Sequence, residues 1–427
     1  MENILNITAP VERGELIEEY EYHEYEPITE TNLDNPGEIR INIETQDIFT
    51  HPNESYILVE GHLTKNDGTA YANADAVALI NNGIMHLFRD ARYALSGHEV
   101  ESVLYLGQST TMLGLLKYPD DFSKSQGLNQ LWFKDMDTTA VLANNTGFAA
   151  RQNYIVQYPN PKGTFSFKIP LKHIFGFAED YDKVVYGFEH TLTLTRDSND
   201  NAIFRHTAAD AGKVTLSKIS WFMPHVMPAD APKFQLYKTI ESKAQLDEGF
   251  RMRQCDTIAV PQTTNFTWRL GVKSSSEKPR YIIVGFQTNK SGDQETNPSL
   301  FDNLNVTNMH AMLNSTIYPL IDSNTSFEKY QFSRVYGDAA AFRSKFYDLD
   351  ELVGNSNITP ADYATLHTLF VLDVSKQSER LKNSVTDTLI KARFGANAPA
   401  DTQAYAVVIS DRLIKFISDG NKMSVVY

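Results

Sequence analysis

Apolar and polar residues alternate with a period of two over much of the chain, the spacing of strands buried on one face. After "DNPGE" the segment "IRINIE" places Ile39, Ile41 and Ile43 on one side. "TFSFKIPL" does the same with Phe165, Phe167, Ile169 and Leu171, "HTLTLTR" with Leu192 and Leu194, and "FTWRLGV" with Phe266, Trp268, Leu270 and Val272. Gly, Asn, Asp and Pro fill the connections, as turns require. Helical periodicity is confined to short pieces: "TMLGLLKYPDDF" near 111–122, "PLKHIFGF" near 170–177 and "FQLYKTIESKAQL" near 234–246. Many short strands with few helices predict antiparallel sandwiches.

The chain also repeats itself. "YILVEGHLTKNDG" at 56–68 returns as "YIIVGFQTNKSGD" at 281–293, an offset of 281 − 56 = 225. "YALSGHEV" returns as "AMLNSTIY", with Ser96-Gly97 and Asn314-Ser315 at the turns (314 − 96 = 218), and "YGFEHTLTLT" as "YATLHTLFVL" (363 − 186 = 177). Constant order with shrinking offsets predicts two copies of one fold, with longer late loops in the first, because loops absorb insertions that strands do not. The extra length is expected between 98 and 186. A seam falls at "MPHVMPADAP", 223–232, where three prolines are expected to interrupt sheet and helix. The expected units are an acidic N-terminal arm over 1–35, a first sandwich over 36–226 and a second over 227–427.

Length supports two cores: 427 residues exceed what one core usually serves. High Phe and Tyr counts, 24 and 21, favour strands. The net charge of −14 argues against a nucleic-acid surface, which needs clustered Lys and Arg. "RLKNSVTDTLIKARF" at 380–394 reads as a solvated strand face. The arm carries eight glutamates against one arginine over 12–30 and no apolar period, so it is expected to lie outside the core and to dock on basic protein surface. One cysteine, Cys255, excludes an intrachain disulfide framework and fits a reducing compartment. No leader pattern and no apolar run of about 18 residues occur, so neither ordinary secretion nor a transmembrane segment is expected.

The residues on which chemistry would rest do not complete a site. No H-x-H or H-E-x-x-H spacing occurs among the 11 histidines. His190 and His367, each opening "HTL", are expected to share a structural role across the repeat. Asp197, Asn199 and Asn201 begin a calcium-loop spacing that fails at Ala202 and Ala208. Gly212-Lys213-Val214 lacks the preceding glycine of a phosphate loop and reads as a turn entering a strand. The carboxylates of Glu179, Asp180 and Asp182, and of Asp348, Asp350 and Glu351, are paired as a glycan-cleaving hydrolase could use them, but both sets fit helix starts and loops. No catalytic, cofactor-binding or metal residues are expected, and no cofactor.

The two like-sized β halves, the helix before a late strand pair in "FKIPLKHIFGFAEDYDKVVYGFEHTLTLTR", and the run "KPRYIIVGFQTNKSGDQETNPSLFDNLNVTNMHAMLNSTIYPL" resemble the double jelly-roll major capsid proteins. Among them the polinton-like and adintovirus-like forms, of the adenovirus-type lineage, are most similar. The resemblance runs from about residue 36 to the end. It implies an all-β fold of two tandem eight-stranded antiparallel jelly rolls. It implies a structural rather than enzymatic protein, a homotrimer forming a pseudo-hexagonal capsomer in an icosahedral virion around double-stranded DNA. Neighbouring capsomers, penton and other minor capsid proteins are the implied partners, and assembly inside the host cell is the implied location. The alternative is a tandem-sandwich glycan-processing hydrolase or a pair of carbohydrate-binding modules, which the implied trimer mass would distinguish.

Overall fold

The computed structural model describes residues 16–28, 33–34, 36–44, 47–243, 245–271, 278–350, 358–377, 386–418 and 423–426. Strands dominate, and the principal ones form two pairs of facing sheets. In the first half one sheet runs Ile17–Tyr25, Gly212–Pro228, Tyr56–Lys65, Thr164–Pro170. The other runs Glu38–Ile43, His190–Arg196, Phe88–Leu95, His98–Leu104. Numbered along the chain, these are orders 1-8-3-6 and 2-7-4-5. Short strands such as Phe49–Thr50 and Val185–Tyr186 extend the first sheet.

The second half repeats both orders. One sheet runs Leu246–Ala259, Thr402–Ser418, Lys278–Thr288, Leu369–Asp373; the other runs Asn265–Arg269, Thr388–Phe394, Val306–Leu313, Thr316–Tyr318. Each half is thus an eight-stranded antiparallel jelly roll, and the two share one topology.

Two of the three sequence echoes fall on equivalent elements. Tyr56–Lys65 and Lys278–Thr288 are both third strands, and Ser96-Gly97 and Asn314-Ser315 both turn the hairpin between fourth and fifth strands. Ser96, Gly97 and Asn314 have positive φ (46°, 81° and 52°), as tight hairpins demand. The third echo does not. His190–Arg196 is a seventh strand and Leu369–Asp373 a sixth. The true counterparts are Thr164 with Leu369 (369 − 164 = 205) and His190 with Thr388 (388 − 190 = 198). Both misaligned strands are buried on both faces, so neither carries a half-buried pattern that would mark which strand it is. The extra length of the first half is therefore spread over its late loops, including one after Arg196, rather than confined to 98–186.

Residues 17–25 are not a free arm. They form the first strand of the first jelly roll, paired antiparallel with Trp221–Pro228, and Glu24 Oε1 meets Lys218 Nζ at 2.6 Å. The strand is exposed along both faces, so its sequence never acquires an apolar period. The rest of the expected arm, residues 1–15, 29–32 and 35, lies outside the described residues, as do 380–385 of the basic stretch. In that stretch Thr388–Phe394 is a strand with Lys391 and Arg393 on its exposed side.

The expected seam at 223–232 also differs. Strand Gly212–Pro228 passes through Pro224, whose carbonyl accepts from His51 N at 3.1 Å; a proline in a strand forfeits only a donor. Helix Asp230–Glu241 follows, with Pro232 tolerated in its first turn.

Each roll has its own core, and each lends residues to the other. Ile41, Val59, Phe167, Leu192 and Trp221 fill the first, Ile282, Phe286, Ile390 and Val408 the second. Phe250, Met252, Ile414 and Phe416, from the first and last strands of the second roll, pack into the first core. Met112, Leu113, Leu115 and Leu116, from helix Leu106–Lys117 of the first roll, pack into the second. That helix is buried nearly all round, which is why its sequence lacks a polar face. An apolar, interdigitated junction of this kind holds the rolls as one body.

Candidate functional site

At the junction lies a dense, largely buried charged group. The alternation Arg251-Met252-Arg253 in strand Leu246–Ala259 puts both guanidinium groups on one face. Strand His98–Leu104 supplies Glu101, helix Gly176–Asp180 supplies Glu179 and Asp180, and the last turn of helix Leu106–Lys117 supplies Lys117. Three carboxylates thus meet three cations.

Lys117 Nζ donates to both oxygens of Glu179 at 2.6 Å, Tyr347 OH donates to the same carboxylate at 2.6 Å, and Arg253 Nη2 donates to Glu179 Oε2. Arg253 Nη1 also donates to the Ile174 carbonyl at 2.9 Å, and the Arg253 backbone N–H to Glu101 Oε1 at 2.8 Å. Glu101 Oε2 accepts from Phe177 N at 2.9 Å. Arg251 grips Asp180 through Nε (2.9 Å) and Nη2 (2.5 Å), while its guanidinium lies 3.7 Å over the Phe346 ring. Burial pushes the Glu179 carboxyl up, but the Lys117 ammonium and Arg253 guanidinium outweigh it and hold it well below the usual carboxylate range.

A carboxylate so held has no proton to give a leaving group, so Glu179 lacks the property a glycosidase acid needs. Glu179 and Asp180 instead clasp the two rolls. Asp182 points to solvent and pairs with Lys183 at 2.9 Å. Asp348 and Asp350 are exposed, and Glu351 lies outside the described residues. The two sequence-predicted carboxylate sets are not brought together into an acid–base pair. What sequence reading missed is the set of cations, because Lys117, Arg251 and Arg253 lie far from Glu179 along the chain. The one local signal was two arginines alternating in an otherwise strand-like run.

The remaining candidates have structural work. His190 Nδ1 and Nε2 lie 2.8 Å from Tyr93 OH and 2.9 Å from Thr50 Oγ1, inside the first core. His367 is buried beside a sixth strand, so the two histidines do not correspond. Asn201 Oδ1 accepts from Gly292 N at 2.9 Å, so the failed calcium loop ties the first roll to the second. Gly212 opens a strand. Burial pushes the Cys255 thiol up, out of nucleophilic range. Among the described residues no three His, Cys, Asp or Glu gather to hold a metal ion, and no helix is long and apolar enough to cross a membrane.

Buried histidines give the junction and core an acid sensitivity. Burial lowers His86, His173 and His190 from the usual 6.5 to about 3. Below pH 6.5 the unfolded chain binds protons that the folded chain refuses, so stability falls as pH drops, by up to about 1.4 kcal/mol per pH unit per histidine. The urea midpoint is expected to be clearly lower at pH 5 than at pH 7. A midpoint that does not move would show that these rings are protonated inside the fold.

A family model described as a double jelly roll-like domain matches residues 77–414, spanning the junction and most of both rolls. The chain belongs to this double jelly roll-like family. No curated protein matches the sequence. Among solved structures, a chain of the Sputnik virophage is similar with a TM-score of 0.62 at 10% identity, covering 96% of this chain and 88% of that one. A chain of the PBCV-1 virus capsid gives 0.55 at 13% identity, covering 96% of each. The mavirus major capsid protein gives 0.53 at 10% identity, covering 95% and 90%. At such identities the likeness is one of fold.

The double jelly roll also carries aromatic and aliphatic surface that the described residues cover only in part. On the outer face of the first roll, Tyr56 stacks on Phe222 at 4.9 Å, Tyr22 lies 5.4 Å from Tyr56, and Tyr20 lies 6.1 Å from Tyr22. After the fifth strand of the second roll, Leu320 and Ile321 are 85% and 67% exposed. Exposed Leu and Ile side by side mark a contact surface more often than a lone one does.

Proposed function

We propose that this chain is a major capsid protein of the large DNA virus and virophage type. Three copies form a pseudo-hexagonal capsomer, and capsomers tile an icosahedral shell around double-stranded DNA. One observation carries the reading: a single chain contains the strand order 1-8-3-6 and 2-7-4-5 twice. A subunit made of two like halves presents two like edges, so a head-to-tail ring of three closes with six nearly equivalent sides, a shape that fills a plane. The clasp between Arg251, Arg253 and their carboxylates supports this, since a tile must keep its two halves at one angle.

The first jelly roll runs from residue 17 to 228 and the second from 246 to 426, with helix Asp230–Glu241 connecting them. The net charge of −14 keeps free subunits apart and leaves DNA to be confined rather than gripped. Neighbouring capsomers, penton and minor capsid proteins are its partners, the virion its destination, and its role involves no catalysis.

Light scattering on the purified chain is expected to report a stable particle of about three times 48.2 kDa. Negative-stain images of it are expected to be roughly hexagonal. A monomer or dimer that binds glycans through the aromatic face would instead support a carbohydrate-binding pair.

A further inference from the structure

The junction inside one chain indicates what covers the open face of the first roll. In the second roll, the register aligns Tyr281 with Ile409 and Ile409 with Arg253 on the outward side of the first sheet. The first roll of the same chain closes that side. Helix Leu106–Lys117, which directly follows the fifth strand, is buried against it; the ring of Tyr105 meets that of Tyr405 at 5.8 Å, and Glu179 meets Arg253.

The equivalent positions of the first roll are Tyr56, Phe222 and Glu24, aligned by the same pairing. No described element of the chain covers Tyr20 and Tyr22 beside them, which remain 39% and 44% exposed. The segment equivalent to the covering helix is the one following the fifth strand of the second roll, Thr316–Tyr318, and it carries Leu320 and Ile321. Among the described residues, the first roll therefore keeps a partly open aromatic socket, with Lys168 Nζ 4.0 Å from the centre of the Tyr56 ring, and the second an exposed apolar knob.

We infer that Leu320 and Ile321 of one copy pack on the Tyr20, Tyr22, Tyr56 and Phe222 face of the next, repeating between chains the contact made within each. The inference rests on the homotrimer reading and names its contact surface. Charge separates the two junctions. The intrachain face presents Arg251 and Arg253 to Glu101, Glu179 and Asp180, whereas the open face presents Tyr22 and Glu24 at the matching registers. With Glu24 already paired to Lys218 at 2.6 Å, these registers offer no arginine to the Glu101, Glu179 and Asp180 set of another first roll, which cannot form its clasp there. The 319–334 segment carries no net charge, exposed Asp322 and Glu328 balancing exposed Lys329 and Arg334, so it needs no charged socket.

Cysteine cross-linking of the full chain tests this. A chain carrying Tyr22→Cys and Leu320→Cys is expected to yield covalent trimers on mild oxidation, while either single substitution yields none; Cys255 is buried and does not compete. Leu320→Asp with Ile321→Asp is expected to abolish the trimer, leaving a 48.2 kDa species with unchanged thermal unfolding. Trimers that neither cross-link nor dissociate overturn the contact and leave the homotrimer standing. A wild-type chain that stays monomeric at all concentrations overturns both.

Discussion

Arg253→Met is expected to destabilise the protein by about 3–5 kcal/mol, the range seen when one partner of a buried charge group is removed. Arg253 is 1% exposed and its guanidinium binds Glu179 together with the Lys172, His173 and Ile174 carbonyls. Methionine fills much of the same volume, so lost packing is small and the loss reports charge and hydrogen bonding. Glu179 would retain Lys117 and Tyr347, but the junction would hold one uncompensated negative charge and three carbonyls without a donor. The adverse effect should be largest at neutral pH and shrink in acid, where the carboxylates take up protons. Chemical denaturation at pH 7 measures it. A cost below about 1 kcal/mol would mean that water enters the junction and solvates these groups, contradicting the clasp.

Gly176→Ala is expected to have an effect at least as large by a different route. A Cβ at Gly176 would stand 1.9 Å from the Arg251 carbonyl oxygen and 2.9 Å from its carbon, both backbone atoms of the opposite roll. Neither can rotate away, so helix Gly176–Asp180 and strand Leu246–Ala259 must separate, opening the Asp180–Arg251 and Glu179–Arg253 contacts together. The expected result is loss of soluble, cooperatively unfolding protein. Gly249→Ala is the matched control: its Cβ would find nothing nearer than the Arg412 carbonyl oxygen at 4.0 Å, so a change within about 0.5 kcal/mol is expected. Equal behaviour of the two variants would show that close approach at Gly176 is not what seats the rolls.

Much of the fold was legible because strand alternation is a local property. Ile39, Ile41 and Ile43 declare a half-buried strand whatever lies opposite, and the likeness of Tyr56–Lys65 to Lys278–Thr288 survived because both strands meet the same neighbours in their own roll. Alternation says nothing about pairing order, so "HTLTLT" and "HTLFVL" looked equivalent while belonging to a seventh and a sixth strand. The first strand was missed for the opposite reason. Both of its faces meet solvent, so its main chain pairs with Gly212–Pro228 without leaving an apolar mark on the sequence.

The candidate site was less legible. Glu179 and Asp180 read from sequence as acid groups at a helix, which they are, but their meaning depends on Arg251 and Arg253 more than 70 residues away. The sequence alone determined two all-β halves of one pattern, their turns, and the absence of recognisable catalytic spacings, because each of these follows from neighbours along the chain. Only the tertiary structure decided which strands pair, that residues 17–25 complete a sheet, and that the carboxylates are spent on joining the rolls. Those outcomes depend on burial and charge compensation between distant segments, which no local period encodes.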